Sequence, residues 1–176
     1  LQSGCNETLK RMNRKYTAEE YMEGCRILRK YFDDPALTTD VIVGFPQETE
    51  EEFEESRSFI EQVKFYETHI FKYSRRKGTR ADRMERQIPE DVKTRRSHIL
   101  IELGKKQERA YMESFLGKEV EVLFEEITEI EGDTYWIGHT REYIKTVAKT
   151  GENLENCIKK AVITGFLKDG IFICSI

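Results

Sequence analysis

Asp40 sits at the head of an apolar run, Val41-Ile42-Val43, which Gly44 and Pro46 then interrupt. A carboxylate in such a strand needs a partner or water. Ligands in α/β folds gather at the carboxyl ends of strands. One wall of a small-molecule site is therefore expected between Asp40 and Gln47. A second strand ends in Ser74-Arg75-Arg76-Lys77-Gly78-Thr79, where a guanidinium at Arg76 suits a carboxylate or phosphate. Side by side, the two loops would line one cleft. Arg11, Arg14 and Lys15 form a local basic cluster near it in sequence. In the tail, Trp136 and Tyr143 offer ring faces to nucleobases, and Arg141, Lys145 and Lys149 offer a basic face. The plain alternatives are a backbone-capping Asp40, a surface ion pair at Arg76, and barrel packing for the two aromatics.

Several elements must position these residues. Val41, Ile42 and Val43 form a short β-branched run, as in a strand covered on both faces of a parallel sheet. Thr49 and Glu52 have capping-box spacing, and Phe53, Ile60 and Val63 give the following helix an apolar face. Thr17 and Glu20 repeat the box, with Tyr21, Cys25 and Leu28 facing inward on a helix to about Tyr31. Leu9 and Met12 face inward on a short turn before it. Asp33-Asp34-Pro35 ends the second helix. A strand over Tyr66 to Tyr73 follows, in which His69 has apolar neighbours and reads as structural. Helix, strand, helix, strand implies parallel strands with crossovers. Pro89 opens a long helix, striped by Ile99, Leu103, Ala110 and Phe115 and ended by Gly117.

Beyond Lys118 the pattern changes to short strands: Val120 to Phe124, Thr134 to Gly138, Tyr143 to Ala148, Cys157 to Phe166, and Gly170 to Ser175. Gly132-Asp133 reads as a hairpin turn. Five short strands in about 60 residues suggest a small closed barrel of oligonucleotide-binding type. The expected organisation is an α/β domain over residues 1–116 and an all-β domain over 117–176.

The totals narrow the function. Of 176 residues, 35% are charged, and no apolar run approaches membrane-span length. With no signal peptide visible, a cytoplasmic protein is expected. The four cysteines, Cys5, Cys25, Cys157 and Cys174, have no metal-ligand spacing and read as reduced thiols, the last two filling strand cores. The net charge of −4 hides an asymmetry. Residues 72–109 carry 13 Lys and Arg against 6 Asp and Glu, whereas the stretch from Gly117 carries 7 against 11. A basic band of this kind is a nucleic-acid footprint or a solvated helix face. The acidic tail argues against strong, sequence-blind phosphate binding there.

An ordered set of motifs now resembles a known family. Leu1-Gln2-Ser3-Gly4, Met12-Asn13-Arg14-Lys15-Tyr16, Thr39 to Thr49 and Tyr73 to Thr79 occur in this order in the radical S-adenosylmethionine methylthiotransferases. The tail is similar to their TRAM domain, with Gly138-His139-Thr140-Arg141-Glu142-Tyr143 in the signature position. The resemblance spans the chain and implies the last part of a radical-SAM-type barrel followed by a TRAM/OB-like barrel. His69 to Ser74 and Gly138 to Tyr143 are most similar to the branch that methylthiolates N6-threonylcarbamoyladenosine beside the tRNA anticodon. A ribosomal-protein aspartate methylthiotransferase, the isopentenyladenosine branch and a non-catalytic RNA-binding module stay open.

In that family a cluster held by CxxxCxxC cleaves S-adenosylmethionine to a radical that takes hydrogen from adenine C2, and a second cluster supplies sulfur. Neither cluster motif is in this sequence. The expectation is a fragment whose iron–sulfur ligands lie elsewhere and which is inactive alone. Exposed barrel edges should then make it self-associate. Matched residue by residue, the resemblance implies a cofactor role for Gln2, Ser3, Asp40, Ile42 and Gly44. It implies substrate contacts at Arg14, Tyr73, Arg76, Arg141 and Lys145, with the tRNA anticodon stem-loop as partner. Two departures stand out. Gln47 replaces a glycine, so positive φ is not expected there. Arg75 replaces a proline, so Arg76 matches the family's arginine.

Overall fold

The computed structural model describes residues 1–176. The chain divides into two compact units, Leu1–Glu108 and Arg109–Ile176. No helix is long and apolar enough to cross a membrane.

The first unit contains α1 (Asn6–Arg11), α2 (Ala18–Tyr31), β1 (Thr38–Val43), α3 (Glu50–Val63), β2 (Glu67–Lys72), a 3-10 turn over Ala81–Arg83, and the start of α4 (Glu90–Glu113). Both capping boxes form. The Thr49 hydroxyl accepts the Glu52 N–H at 3.2 Å, and the Glu52 carboxylate accepts the Thr49 N–H at 3.0 Å. Thr17 and Glu20 repeat this at the start of α2. These bonds satisfy orphan amides of the first turn and fix where each helix begins.

β1 and β2 pair in parallel, from Thr38 opposite Glu67 to Val43 opposite Lys72, with α3 as the connection between them. β1 is covered on one face only, contrary to the expectation of a strand buried on both. Thr39, Val41 and Val43 are buried, whereas Asp40 is exposed and Ile42 half-buried. Val41 and Val43 join Phe53, Ile60, Val63, Phe65 and Leu100 in one core. The helices lie over this face so closely that a Cβ at Gly104 of α4 would meet the Thr68 Oγ1 at 2.4 Å. The other face presents Asp40, Ile42 and Phe71 to open space. His69 shares it, with a half-exposed side chain 3.9 Å from Glu67, so it is not a core histidine.

Other expectations shift as well. The residues before α1 lie outside the strands, with the Gln2 carbonyl accepting the Ile42 N–H at 3.0 Å. Leu9 is buried, while Met12 is only half-buried. Cys25 is buried on α2, whereas Leu28 is exposed together with Ile27, Tyr31 and Phe32. Nothing in this unit covers that side of the helix. Helix α4 starts one residue after Pro89, whose carbonyl accepts the Lys93 N–H at 3.1 Å. Its buried residues include Leu100, Met112 and the charged Arg96, while Ala110 is exposed. An apolar stripe counted from sequence passes over a buried arginine.

The second unit holds the end of α4 and five strands: β3 (Glu119–Ile130), β4 (Asp133–Thr140), β5 (Lys145–Ala148), β6 (Cys157–Lys168) and β7 (Ile171–Ser175). They close a barrel in the order β3-β4-β5-β7-β6, with β5 and β7 parallel and the other pairs antiparallel. The first hairpin turns at Glu131-Gly132, both at positive φ (56° and 86°), one residue earlier than expected. Two left-handed residues match the twist of the strands they join. Gly138 lies against β3, where a Cβ would fall 1.9 Å from the Leu123 carbonyl oxygen. Inside, Val122, Phe124, Ile144, Val147, Ile163 and Phe172 are buried. Cys174 is buried too, and burial pushes its thiol up to about 11. Cys157 is only half-buried rather than part of the core.

Candidate functional site

On the open face of β1 and β2 lies a cleft of about 470 Å³, at the carboxyl ends of both strands. Gln2, Asp40 and Ile42 line its β1 side, and Tyr73, Ser74 and Arg76 its β2 side, with Phe45 and Phe71 as apolar surface. Five of the ten residues proposed from sequence thus converge: Gln2, Asp40, Ile42, Tyr73 and Arg76. The Gln2 amide reaches the Asp40 carbonyl at 3.4 Å.

The loop after β1 is held by its own backbone and by a buried charge. Gly44 adopts φ 71°, and a Cβ there would lie 2.1 Å from the Lys93 Cγ, so only glycine fits. Gln47 also adopts positive φ, 70°, contrary to the expectation, with its N–H donating to the Arg86 carbonyl at 3.0 Å. A non-glycine residue tolerates this at a cost of about 1 kcal/mol or more where its surroundings fix it. The Glu48 carboxylate accepts the Gly44 N–H at 2.7 Å and the Arg96 Nη1–H at 2.7 Å. The side chains of this pair are 2% and 4% exposed. Burial pushes the Glu48 carboxyl above the usual range, and the Gly44 amide and Arg96 pull the other way. Sequence reading passed over Arg96; a lone arginine among the buried positions of α4 was its only signal.

The loop after β2 divides its arginines by task. Arg75 Nε donates to Asp82 Oδ1 at 2.6 Å, and its Nη2 to the Asp82 carbonyl at 2.9 Å. Asp82 also takes the Gly78 N–H at 3.0 Å, and that amide first, then Arg75, hold its carboxyl below the usual range. Arg75 thus braces the loop where the family has a proline. Arg76 is exposed at the cleft with no ion pair. Tyr73 continues the sheet, its N–H donating to the Val43 carbonyl at 2.9 Å. Its ring meets Phe45 edge-on at 5.2 Å. The Tyr73 hydroxyl is buried and has no hydrogen-bond partner, which is costly unless a ligand supplies one.

Three of the other proposed residues in this unit lie elsewhere. Ser3 is buried against α3, its hydroxyl 3.4 Å from that of Ser56 and accepting the Cys5 N–H. Gly44 acts through backbone geometry at the rim. Arg14 is exposed in the turn between α1 and α2.

Residues 1–60 match the family described as the Radical SAM superfamily. The chain is 44% identical over 171 residues to the threonylcarbamoyladenosine tRNA methylthiotransferase MtaB of Bacillus subtilis (strain 168), covering 97% of this chain and 37% of that protein. It is 50% identical over 125 residues to the tRNA-2-methylthio-N(6)-dimethylallyladenosine synthase of Oceanobacillus iheyensis, covering 71% and 24%. It belongs to the radical S-adenosylmethionine methylthiotransferase family. A further relative, the same synthase from Protochlamydia amoebophila, is 38% identical over 169 residues. The chain spans about a quarter to somewhat over a third of the length of these methylthiotransferases.

Methylthiotransferase chemistry of the radical type needs S-adenosylmethionine and an iron–sulfur cluster. The cleft fits the first: it has polar groups at Gln2 and Asp40, apolar surface at Phe45 and Phe71, and an unsatisfied hydroxyl. No group of three or more His, Cys, Asp or Glu side chains converges in this chain, so its residues do not fit a cluster.

The barrel carries the last two proposed residues. Arg141 pairs with Glu121, and Lys149 with Asp133 at 2.8 Å. Of the expected basic face, Lys145 alone makes no ion pair. Lys145 lies opposite His139, His139 opposite Leu123, and Leu123 opposite Ile158, in one row across β5, β4, β3 and β6. The His139 ring stacks on Tyr143 at 4.6 Å and 16°, with Tyr143 77% exposed at φ 66°. Leu123 and Ile158 are exposed beside it. Trp136 is three residues away on β4, opposite Ile127, and lines a separate cleft with Glu152 and Glu155.

Proposed function

We propose that this chain contributes the substrate cleft and the RNA-binding barrel of a cytoplasmic tRNA methylthiotransferase that modifies C2 of N6-threonylcarbamoyladenosine next to the anticodon. In this reading the first unit is the last part of a radical SAM barrel and the second a TRAM domain. The iron–sulfur clusters are held by residues outside this sequence, and the chain alone is inactive. The chemistry supplied by S-adenosylmethionine and the clusters is removal of the C2 hydrogen and delivery of a methylthio group.

The chain's own residues bind and orient. Gln2, Asp40 and Ile42 form the cofactor wall, with Gly44 shaping the loop above them. Phe45 and Phe71 exclude water from the adenine, and the Tyr73 hydroxyl gains its missing hydrogen bond from the bound nucleoside. The carrying observation is Arg76, an unpaired guanidinium at a cleft that Phe45, Phe71 and Ile42 line with apolar surface and Gln2 and Asp40 with polar groups. It suits the carboxylate of the threonylcarbamoyl group, which a dimethylallyl group lacks. The 44% match to a threonylcarbamoyladenosine enzyme over nearly the whole chain supports the same choice. Arg14 lies outside the cleft and is left as a contact to the RNA backbone, as are Arg141 and Lys145. The exposed apolar side of α2 supports self-association, and a concentration-dependent sedimentation coefficient is expected.

Calorimetric titration of the chain with the two nucleosides tests the substrate. Threonylcarbamoyladenosine should bind about tenfold tighter than isopentenyladenosine, and Arg76→Met should remove that preference. Equal affinity, or preference for the isopentenyl nucleoside, overturns the assignment in favour of the dimethylallyladenosine branch.

A further inference from the structure

Both loops that wall the cleft are fastened to the first turns of α4. Lys93 Nζ donates to the Tyr73 carbonyl at 3.1 Å, in the loop after β2. Its aliphatic stem fills the space that a Cβ on Gly44 would occupy, in the loop after β1. Lys93 also pairs with Glu90 at 2.7 Å, and Glu90 takes Lys72 from the end of β2 at 2.6 Å. One turn along, Arg96 Nη1 donates to the Glu48 carbonyl at 3.1 Å and to the Glu48 carboxylate that holds the Gly44 N–H. Its Nη2 reaches Glu50 at 3.0 Å, at the start of α3. Neither side chain lines the cleft. One bond of Lys93 instead ends on the backbone carbonyl of Tyr73, which does, and one of Arg96 on the carboxylate that fixes Gly44.

We infer that Lys93 and Arg96 are positioning residues that set the spacing of the two loops, Lys93 through the Tyr73 carbonyl and Arg96 through Glu48. Their three-residue separation places them on one face of α4, so one rigid element sets both walls. The Phe45–Tyr73 ring contact, 5.2 Å across the two loops, is the gauge of that spacing. A buried network that is nearly satisfied holds geometry better than exposed pairs do. The inference rests on the reading of the cleft as an adenosine site for its effect on affinity, but not for its effect on geometry.

The test is Lys93→Met, which keeps the stem over Gly44 and removes the bond to the Tyr73 carbonyl together with the ion pair to the exposed Glu90, with Lys93→Arg as the conservative control. Two quantities are read on the whole chain: the nuclear Overhauser contact between the Phe45 and Tyr73 rings, and the dissociation constant for S-adenosylhomocysteine. Lys93→Met should keep its melting temperature within about 3 °C, lose the ring contact, and bind the probe about tenfold more weakly. Lys93→Arg should restore both. An unchanged ring contact in Lys93→Met overturns the inference. So does loss of the contact with unchanged affinity, which would make the bond a local brace only. A wild-type chain that ignores the probe, while its ring contact still responds to Lys93→Met and Lys93→Arg, upholds the loop setting and overturns the adenosine reading.

Discussion

The two units of this chain treat their charged groups in opposite ways. In the first, Arg96 and Lys93 are drawn inward onto Glu48 and Tyr73, and the exposed Arg75 braces its loop through Asp82. One guanidinium, Arg76, is left free at the cleft. In the barrel, charges stay on the surface and neutralise one another, as in Arg141 with Glu121 and Lys160 with Glu119. Beside these pairs runs an exposed row of Ile158, Leu123 and Tyr143 with His139, whose Nδ1 lies 2.6 Å from Glu125, and the unpaired Lys145 at its end. A free guanidinium at a cleft suits a small anionic group. An open row of rings and aliphatic side chains accepts an extended partner by stacking, with little help from net charge.

The largest effect expected from this contrast is at the buried pair. Arg96→Met leaves Glu48 charged, buried and without its partner, which costs about 3–5 kcal/mol. Thermal melting should show the first unit destabilised by of order 10 °C while the barrel transition stays in place. Equal loss from an exposed pair such as Arg141 with Glu121 would erase the distinction, since surface pairs contribute about 0–1 kcal/mol.

A smaller effect is expected at the barrel. Tyr143→Ala should weaken binding of a single-stranded oligoribonucleotide about tenfold, in keeping with about 1–3 kcal/mol per stacked base, and leave the salt dependence unchanged. Arg141→Gln should change affinity about twofold at most. A steeper loss at Arg141 than at Tyr143 would make the barrel a phosphate binder.

The smallest effect is the acid response. Glu50 is held down to about 2 by Arg95 first and Arg96 after it, and Glu90 to about 2 by Lys72 and then Lys93. Both fold with lowered values, so their stabilisation is present above about pH 4.5 and is lost as pH falls toward about 2. Glu48 has the opposite sign, because burial raises its value. Acid titration followed by tryptophan-independent circular dichroism should therefore show the first unit level near neutrality and declining below about pH 4.5. The decline should be shallower in high salt, which screens these exposed pairs.

Much of the fold was legible because its signals are local. Thr49 with Glu52 marked α3, and the β-branched run marked β1. The five barrel strands followed from turn residues such as Gly132 and Gly170. The cleft was partly legible for the same reason: Asp40 and Ile42 lie in the β-branched strand and Arg76 in the loop after β2, where local pattern is informative. What stayed hidden depends on contacts distant in sequence. Arg96 reaches Glu48 across 48 positions. Gln47 takes a glycine-like φ, with its N–H on the Arg86 carbonyl. Ser3 turned toward α3 rather than the cleft because Ser56 lies within hydrogen-bond reach. The one-sided burial of β1 was also beyond pattern, since Val-Ile-Val reads alike in strands covered on one face or two.

Amide chemical-shift mapping tests the central claim most directly. The chain is titrated separately with N6-threonylcarbamoyladenosine and with a single-stranded anticodon-loop oligoribonucleotide lacking that modification. The account expects the nucleoside to move Gln2, Ile42, Tyr73 and Arg76 and leave the barrel unmoved. The oligoribonucleotide should move Leu123, His139, Tyr143 and Ile158. Nucleoside shifts on the barrel row, or none around Tyr73 and Arg76, would contradict the division of labour between cleft and barrel.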